Sequence, residues 1–405
     1  MSPLLSAPGS TVLAHPVTGH PHVEVPTLLL TVGVGLLVAM VLPAVPAGRS
    51  REYVDARATS WAGRLSRGQQ VVRGLAVAGL AVVVLAGLFG NRDQLDNLAP
   101  ALVVGTAWPV LAVLALAAPV WRWVDPWDGL ARLALSDDDS TDDTDGATHV
   151  WPAVVPALGW AWFVAVHPRP LDPRSIGIAL LVYTTVTLVG CLLVGRRRWL
   201  SQGETVGILL AWVTAATRGG LRRERPGGAA ALVGVVIGGL LFALLGRTET
   251  WTDLTGASDT LVWGTVGFAA CAALGAGILV GADLLGHRVG DRGAALRGAL
   301  VLLVGVVLVV ALARNRFTTS LQLLPGLAGD PFGRGWDLLG PAGAGLDAAP
   351  LGAPGLLWLR IAVLAALAAF AAFGAARGVP QPVRVAAFLA LVCLASMSML
   401  VVTLH

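Results

Sequence analysis

GLAVAGLAVVVLAGLFG, residues 74–90, runs seventeen positions without a charged or polar side chain. A helix of that composition has no polar face to show to water. With Val71 and Val72 ahead of it, the run reaches the roughly 20 residues that carry a helix across a bilayer. A similar run, GGAAALVGVVIGGLLFALLG, occupies 227–246. Both are continuously apolar and not alternating, so they read as helices and not as barrel strands. Gly and Ala recur through them, which lets helix backbones approach closely where lipid supplies no hydrophobic drive.

Working outward, ten such runs are expected: 27–46, 71–90, 98–119, 151–167, 175–195, 228–246, 261–285, 297–313, 354–375 and 382–403. Composition agrees. Only 13% of the 405 residues are charged and mean hydropathy is +0.75, whereas soluble domains carry about 25% charged residues. The expected fold is all-α, a polytopic transmembrane helical bundle of about ten spans. No segment between spans is long enough to bury a core of its own.

Every cationic side chain apart from histidine is arginine. With residues 1–26 placed outside, the inner loops and their span edges hold 20 of the 28 arginines. The outer loops hold 7, and Arg360 falls inside a span. That asymmetry predicts an N-out, C-out chain by the positive-inside rule. The expected organisation is an extracytoplasmic segment 1–26 followed by a membrane domain 27–405 in the cell (plasma) membrane. Its partners are the bilayer and, at the cytoplasmic arginines, anionic lipid headgroups. The net charge of +4 calls for no nucleic-acid partner. No arginine precedes Arg49, so the start lacks the positive region of a secretory signal. Cys191, Cys271 and Cys393 sit in apolar runs and read as small buried side chains.

The polar stretches carry the candidate chemistry. SDDDSTDDTDG at 136–146 lacks the terminal glutamate of a calcium loop and reads as an acidic cytoplasmic linker. GETVGILLAWVTAAT at 203–217 is short for a span. The expected element is a helix lying in the cytoplasmic interface, with a re-entrant hairpin lining a cavity as the alternative. In the outer loop 314–353, DPFGRGWDLLG begins at Asp330. Asp330, Trp336 and Asp337, with Arg360 two turns into the next span, form the leading candidate polar site, because a charge inside a span implies a partner or a function. Secondary candidates are Asp125 and Asp128 of DPWDG, Glu204, and the i,i+4 pair Asp283 and His287. His15, His20 and His22 lie within ten residues of Glu24 and form a weak metal candidate. No cofactor is expected and no catalytic residue is assigned. Nothing matches a phosphate loop, a nucleophile elbow or a zinc-protease helix.

DPWDG follows the third run and DPFGRGWD the eighth, corresponding places in two five-span halves of opposite orientation. Inverted repeats of that kind build transporter sites near the midplane. Three function classes therefore stand side by side: a transport or permease-like protein, a membrane-bound hydrolase, and a non-catalytic subunit of a membrane complex.

Several stretches together resemble a family of bacterial multi-pass membrane proteins, some labelled fenitrothion hydrolase. They are LAHPVTGHPHVEVPTLLL at 13–30, DPWDGLARL at 125–133, the block 151–190, WLSQGETVGILLAWV at 199–213, and RFTTSLQLLPGLAGDPFGRGWDLLG at 316–340. The resemblance implies the same membrane architecture and, through the label, cleavage of an organophosphorus ester. The family pattern also carries histidines beside the DPFG loop. The corresponding stretches here, VVALARNRFTTS and LRIAVLAALAAFAAFGAARG, have none.

Overall fold

The computed structural model describes residues 66–135, 149–217, 226–246, 248–256, 260–288, 294–312 and 316–338. Among these, helix accounts for 82% and no strand occurs. A backbone in hydrocarbon must satisfy its own N–H and C=O groups, and helices do this within one segment.

Helix α1 spans Arg67–Phe89. It starts at a capping box in which Ser66 and Gln69 each take the other's backbone N–H. Pro100–Ala107 is π-helical and runs into α2, Trp108–Ala117. Two short helices follow, α3 (Trp121–Val124) and α4 (Pro126–Ala134). Then come α5 (Trp151–Ala165), α6 (Pro173–Val194), α7 (Arg196–Gln202) and α8 (Thr205–Thr217). The remainder are α9 (Ala229–Leu245), α10 (Glu249–Thr255), α11 (Thr260–Arg288), α12 (Ala294–Leu312) and α13 (Arg316–Gly329).

Helices α1, α6 and α11 are long and apolar enough to cross a membrane, by length and composition. The pair α9 and α10, bent by 89°, makes a fourth if it is one span. The expected runs 98–119, 151–167 and 297–313 contain shorter apolar helices, Pro100–Ala115, Trp151–Ala165 and Gly298–Val307. The runs 27–46, 354–375 and 382–403, and the linker 136–146, lie outside the described residues. The first part of the expected outer loop 314–353 is helix α13.

Exposure separates two kinds of helix. Leu75 on α1 and Leu193 on α6 are 68% and 77% exposed, within wide apolar faces. Such faces suit lipid and would be a liability in water. Helix α9 is the opposite, covered along its length by α5, α11 and α12. Its contact with α11 is backbone on backbone: a Cβ added at Gly234 would lie 2.5 Å from the Gly275 oxygen, and one at Gly238 would strike the Cys271 oxygen. Small residues four apart make that approach possible.

Helix α8 is also interior. Val206, Ile208, Leu210, Trp212, Val213 and Ala215 are all buried, and it packs on α2, α5 and α12. A helix lying on headgroups leaves one face open. Protein covers this one on both sides, at the segment expected from sequence as an interfacial helix.

The connecting segments gather into two groups. At one end Asn91 N–H donates to Phe332 O and Leu98 N–H to Pro331 O, while Arg92 pairs with Asp172 at 2.8 Å. At the other end Arg73 on α1 donates to Arg122 O, and Val150 N–H donates to Gly227 O.

Candidate functional site

The first group contains DPFGRGWD, the leading candidate from sequence. The Asp330 carboxylate accepts the backbone N–H groups of Arg334 at 3.0 Å and Gly335 at 2.5 Å. Slight burial works against the charged form, but backbone donors from Arg334, Gly335, Trp336 and Gly333 outweigh it and hold Asp330 below the ordinary aspartate range. Gly333 and Gly335 have φ of 63° and 78°, which suits glycine and closes the turn. The Arg334 guanidinium stacks over Phe332 and Trp336, 5.6 and 5.8 Å from the ring centroids, and donates to Phe89 O at 3.0 Å. Asp330 thus holds a turn that docks on residues 90–98, with Trp336 and Asp337 exposed beside it. Arg360 lies outside the described residues.

The second group brings together three of the secondary candidates with residues the sequence did not single out. Asp125 caps α4, its Oδ1 accepting Trp127 N–H and Asp128 N–H at 3.0 Å each. Pro126 occupies the first helical position, where it suits a helix start. Asp128, fully buried, then points at three arginines. Arg196 Nη1 at the start of α7 lies 2.5 Å away, Arg132 Nε one turn along α4 lies 3.1 Å away, and Arg73 of α1 forms a close ion pair. One carboxylate therefore ties α1, α4 and α7. Close packing accompanies it: a Cβ at Gly129 would lie 2.8 Å from a Val77 methyl.

Glu204 is, with Asp125 and Asp128, a third fully buried carboxylate among the described residues. Its Oε1 accepts the Tyr183 hydroxyl at 2.7 Å and Val206 N–H at 3.0 Å; its Oε2 accepts Gly207 N–H at 2.6 Å. It satisfies the free donors at the start of α8. The preceding Gly203 lies under the Trp199 indole, 2.7 Å from where a Cβ would sit, which explains the Gly-Glu pair. Tyr183 meets Trp127 edge-on at 4.9 Å, and Trp127 meets Trp121 at 5.7 Å. Trp127 also donates to Thr184 Oγ1 at 3.1 Å.

Beyond Tyr183 and Trp127 lies a cavity of about 170 Å³. It is partly open and is lined by the π-helical segment, α2, α5, α6, α8, α9 and α12, and its wall is almost wholly apolar. Trp108, Trp160, Leu209, Leu240 and Val307 line its length; Tyr183 and Thr205 are at its polar end. Thr205 donates to Ala153 O at 2.7 Å and Thr214 to Ala115 O at 2.8 Å, so α8 is tied to α5 and α2 on either side. Trp108 and Trp160 pack at 5.8 Å. The π-helical segment Pro100–Ala107 ends at Trp108, and π turns often mark functional positions.

Asp283 sits half-buried on α11, and His287 belongs to the same helix, its side chain outside the described residues. His15, His20 and His22 lie outside them too. Among the described residues no group of three or more His, Cys, Asp or Glu is placed to hold a metal ion. Arg73, Tyr183 and Trp108 were missed by sequence reasoning. For Arg73 a signal existed: an arginine two turns into a long apolar helix calls for a carboxylate. No family model matches the chain, and no curated protein or solved structure matches it either.

Proposed function

We propose that the chain is a polytopic membrane protein of ten spans, N-out and C-out, in the cell membrane. In this reading it has a transport or permease-like role and takes an apolar solute into the cavity between α2, α5, α6, α8, α9 and α12. One observation carries it: a partly open apolar chamber between the helices, whose wall includes a short interior helix and whose lining Tyr183 is held by the buried Glu204. Pure packing of Ala/Gly faces would leave no chamber. Solute sites in bundles lie between helices and are mostly apolar with a few polar groups. Residues 203–217 act as the re-entrant element. The orientation is supported by the arginine asymmetry and by the gathering of the expected outer connections, 91–98, 168–172 and 330–338, into one group.

Side-specific labelling in proteoliposomes tests the reading. Val164→Cys and Thr205→Cys replace residues on the cavity wall, in a background with the native cysteines changed to alanine. A transport role expects a small membrane-impermeant thiol reagent to reach the cavity from both sides over time. If neither position reacts from either side, the chamber is sealed and the transport role falls. Termini labelled only from inside would overturn N-out, C-out.

A further inference from the structure

The chamber is open over part of its surface, and the residues behind Trp127 and Tyr183 show where it is closed. Asp128 follows Trp127 in the chain, Asp125 accepts the Trp127 N–H, and Glu204 accepts the Tyr183 hydroxyl. All three acids are 0% exposed and Trp127 is 6% exposed, so water does not enter at this end. Aromatic rings from three elements stand there in file. Tyr183 of α6 meets Trp127 of α4 edge-on at 4.9 Å, and Trp121 of α3 packs on Trp127 at 5.7 Å. Trp121 is only half-buried, and Arg122 beside it is exposed. The file therefore leads from the chamber wall to the surface that carries Arg122 and Arg198, the arginine side. Among the described lining residues, Trp127 is the one that α4 supplies. Its indole is held by ring contacts and by one neutral hydrogen bond, to Thr184 Oγ1 at 3.1 Å. Contacts of that kind are individually weak. The helix beneath it is held far more firmly, through Asp128, to α1 and α7.

We infer that Trp127 is a gate between the chamber and the arginine side: its indole blocks the route, and Tyr183 and Thr184 set how firmly it is shut. The inference rests on the reading of the chamber as a solute site. The ring is the part of the barrier that yields, while α4 stays anchored at Asp128. The chamber then has two unlike ends, a standing opening elsewhere and an aromatic closure here. Alternating access needs a barrier of this kind, one that opens toward one side at a time.

Labelling rates test it. Val164→Cys, on α5 in the chamber wall, is placed in the full chain with the native cysteines changed to alanine and reconstituted in proteoliposomes. The rate of reaction with a small membrane-impermeant thiol reagent is read from each side. Trp127→Ala removes two ring contacts and one hydrogen bond, and should raise the rate from the arginine side by roughly tenfold or more. The rate from the opposite side should stay the same. Thr184→Val removes the hydrogen bond alone and should raise the arginine-side rate by about 2- to 10-fold. It decides the matter if Trp127→Ala does not fold. An arginine-side rate left unchanged, or a rise of equal size from both sides, would overturn the gate and leave the chamber reading standing. No reaction from either side in any background would overturn both.

Discussion

Two stretches open alike, DPW at 125–127 and DPF at 331's flank, 330–332, and they end differently. Asp125 accepts the N–H groups two and three residues on, so the chain enters helix α4. Asp330 accepts those four and five residues on, so the chain closes a turn. The difference comes after the aromatic residue. Asp-Gly-Leu-Ala continues as a helix, whereas Gly-Arg-Gly offers two positions that take up positive φ. The consequences diverge further. The helical version delivers Asp128 to a buried ring of arginines; the turn version leaves its acid at the surface, satisfied by its own backbone. A shared Asp-Pro-aromatic signature is therefore a statement about where a chain bends and carries no information about where a site is.

The sharpest way to break that contrast is Asp128→Ala. It would leave Arg73, Arg132 and Arg196 facing one another in a buried place. Losing one side of a buried ion pair costs about 3–5 kcal/mol, so folded protein in detergent should largely disappear from size-exclusion profiles. A monodisperse variant with a near-normal melting temperature would show that the buried cluster is no tighter than the turn. Tyr183→Phe comes next. It removes one donor from the fully buried Glu204 and should cost about 1–3 kcal/mol, read as a lower melting temperature. A change smaller than that of Asp330→Ala would reverse the ranking.

Asp330→Ala should cost about 0.5–2 kcal/mol, as for loss of a helix-capping side chain, because water can reach the freed N–H groups. Its effect is expected in faster proteolysis around 330–338 more than in global melting. The smallest effect is in acid. The folded carboxyl of Asp330 sits below its unfolded value, so its contribution is complete above the ordinary aspartate range near pH 4. It fades as pH falls through the lower folded value. Asp330→Asn should flatten that acid limb, and an unchanged limb would assign it to another acid such as Asp172.

The helices were legible because each apolar run is a local property. Residues 74–90 announce α1 whatever else the chain does. The interior position of α8 was not legible, since a mostly apolar stretch of thirteen residues looks alike whether lipid or protein covers it. The π-helical turns at 100–107 depend on neighbours as well. The Asp-Pro motif and Gly333 could be read as a turn, but its seat on Asn91 and Leu98 needs atoms from far away in sequence. The same holds for Asp128: Arg132 is visible one helical turn later, while Arg73 and Arg196 come from other helices. Trp108 gave no signal in sequence beyond a tryptophan inside the apolar run 98–119.

The Asp128 cluster also sets an order of assembly. Arg196 is made 68 residues after Asp128, a delay of about 3–14 s at roughly 5–20 residues per second of synthesis. Through that interval the α1–α4 unit exists with its carboxylate only partly answered, and α6 must be threaded before α7 can arrive. The bundle's first half therefore closes as a clasp whose last prong is delivered late. Nascent chains stalled before residue 196 should remain open at this end, and those stalled well beyond it should have locked.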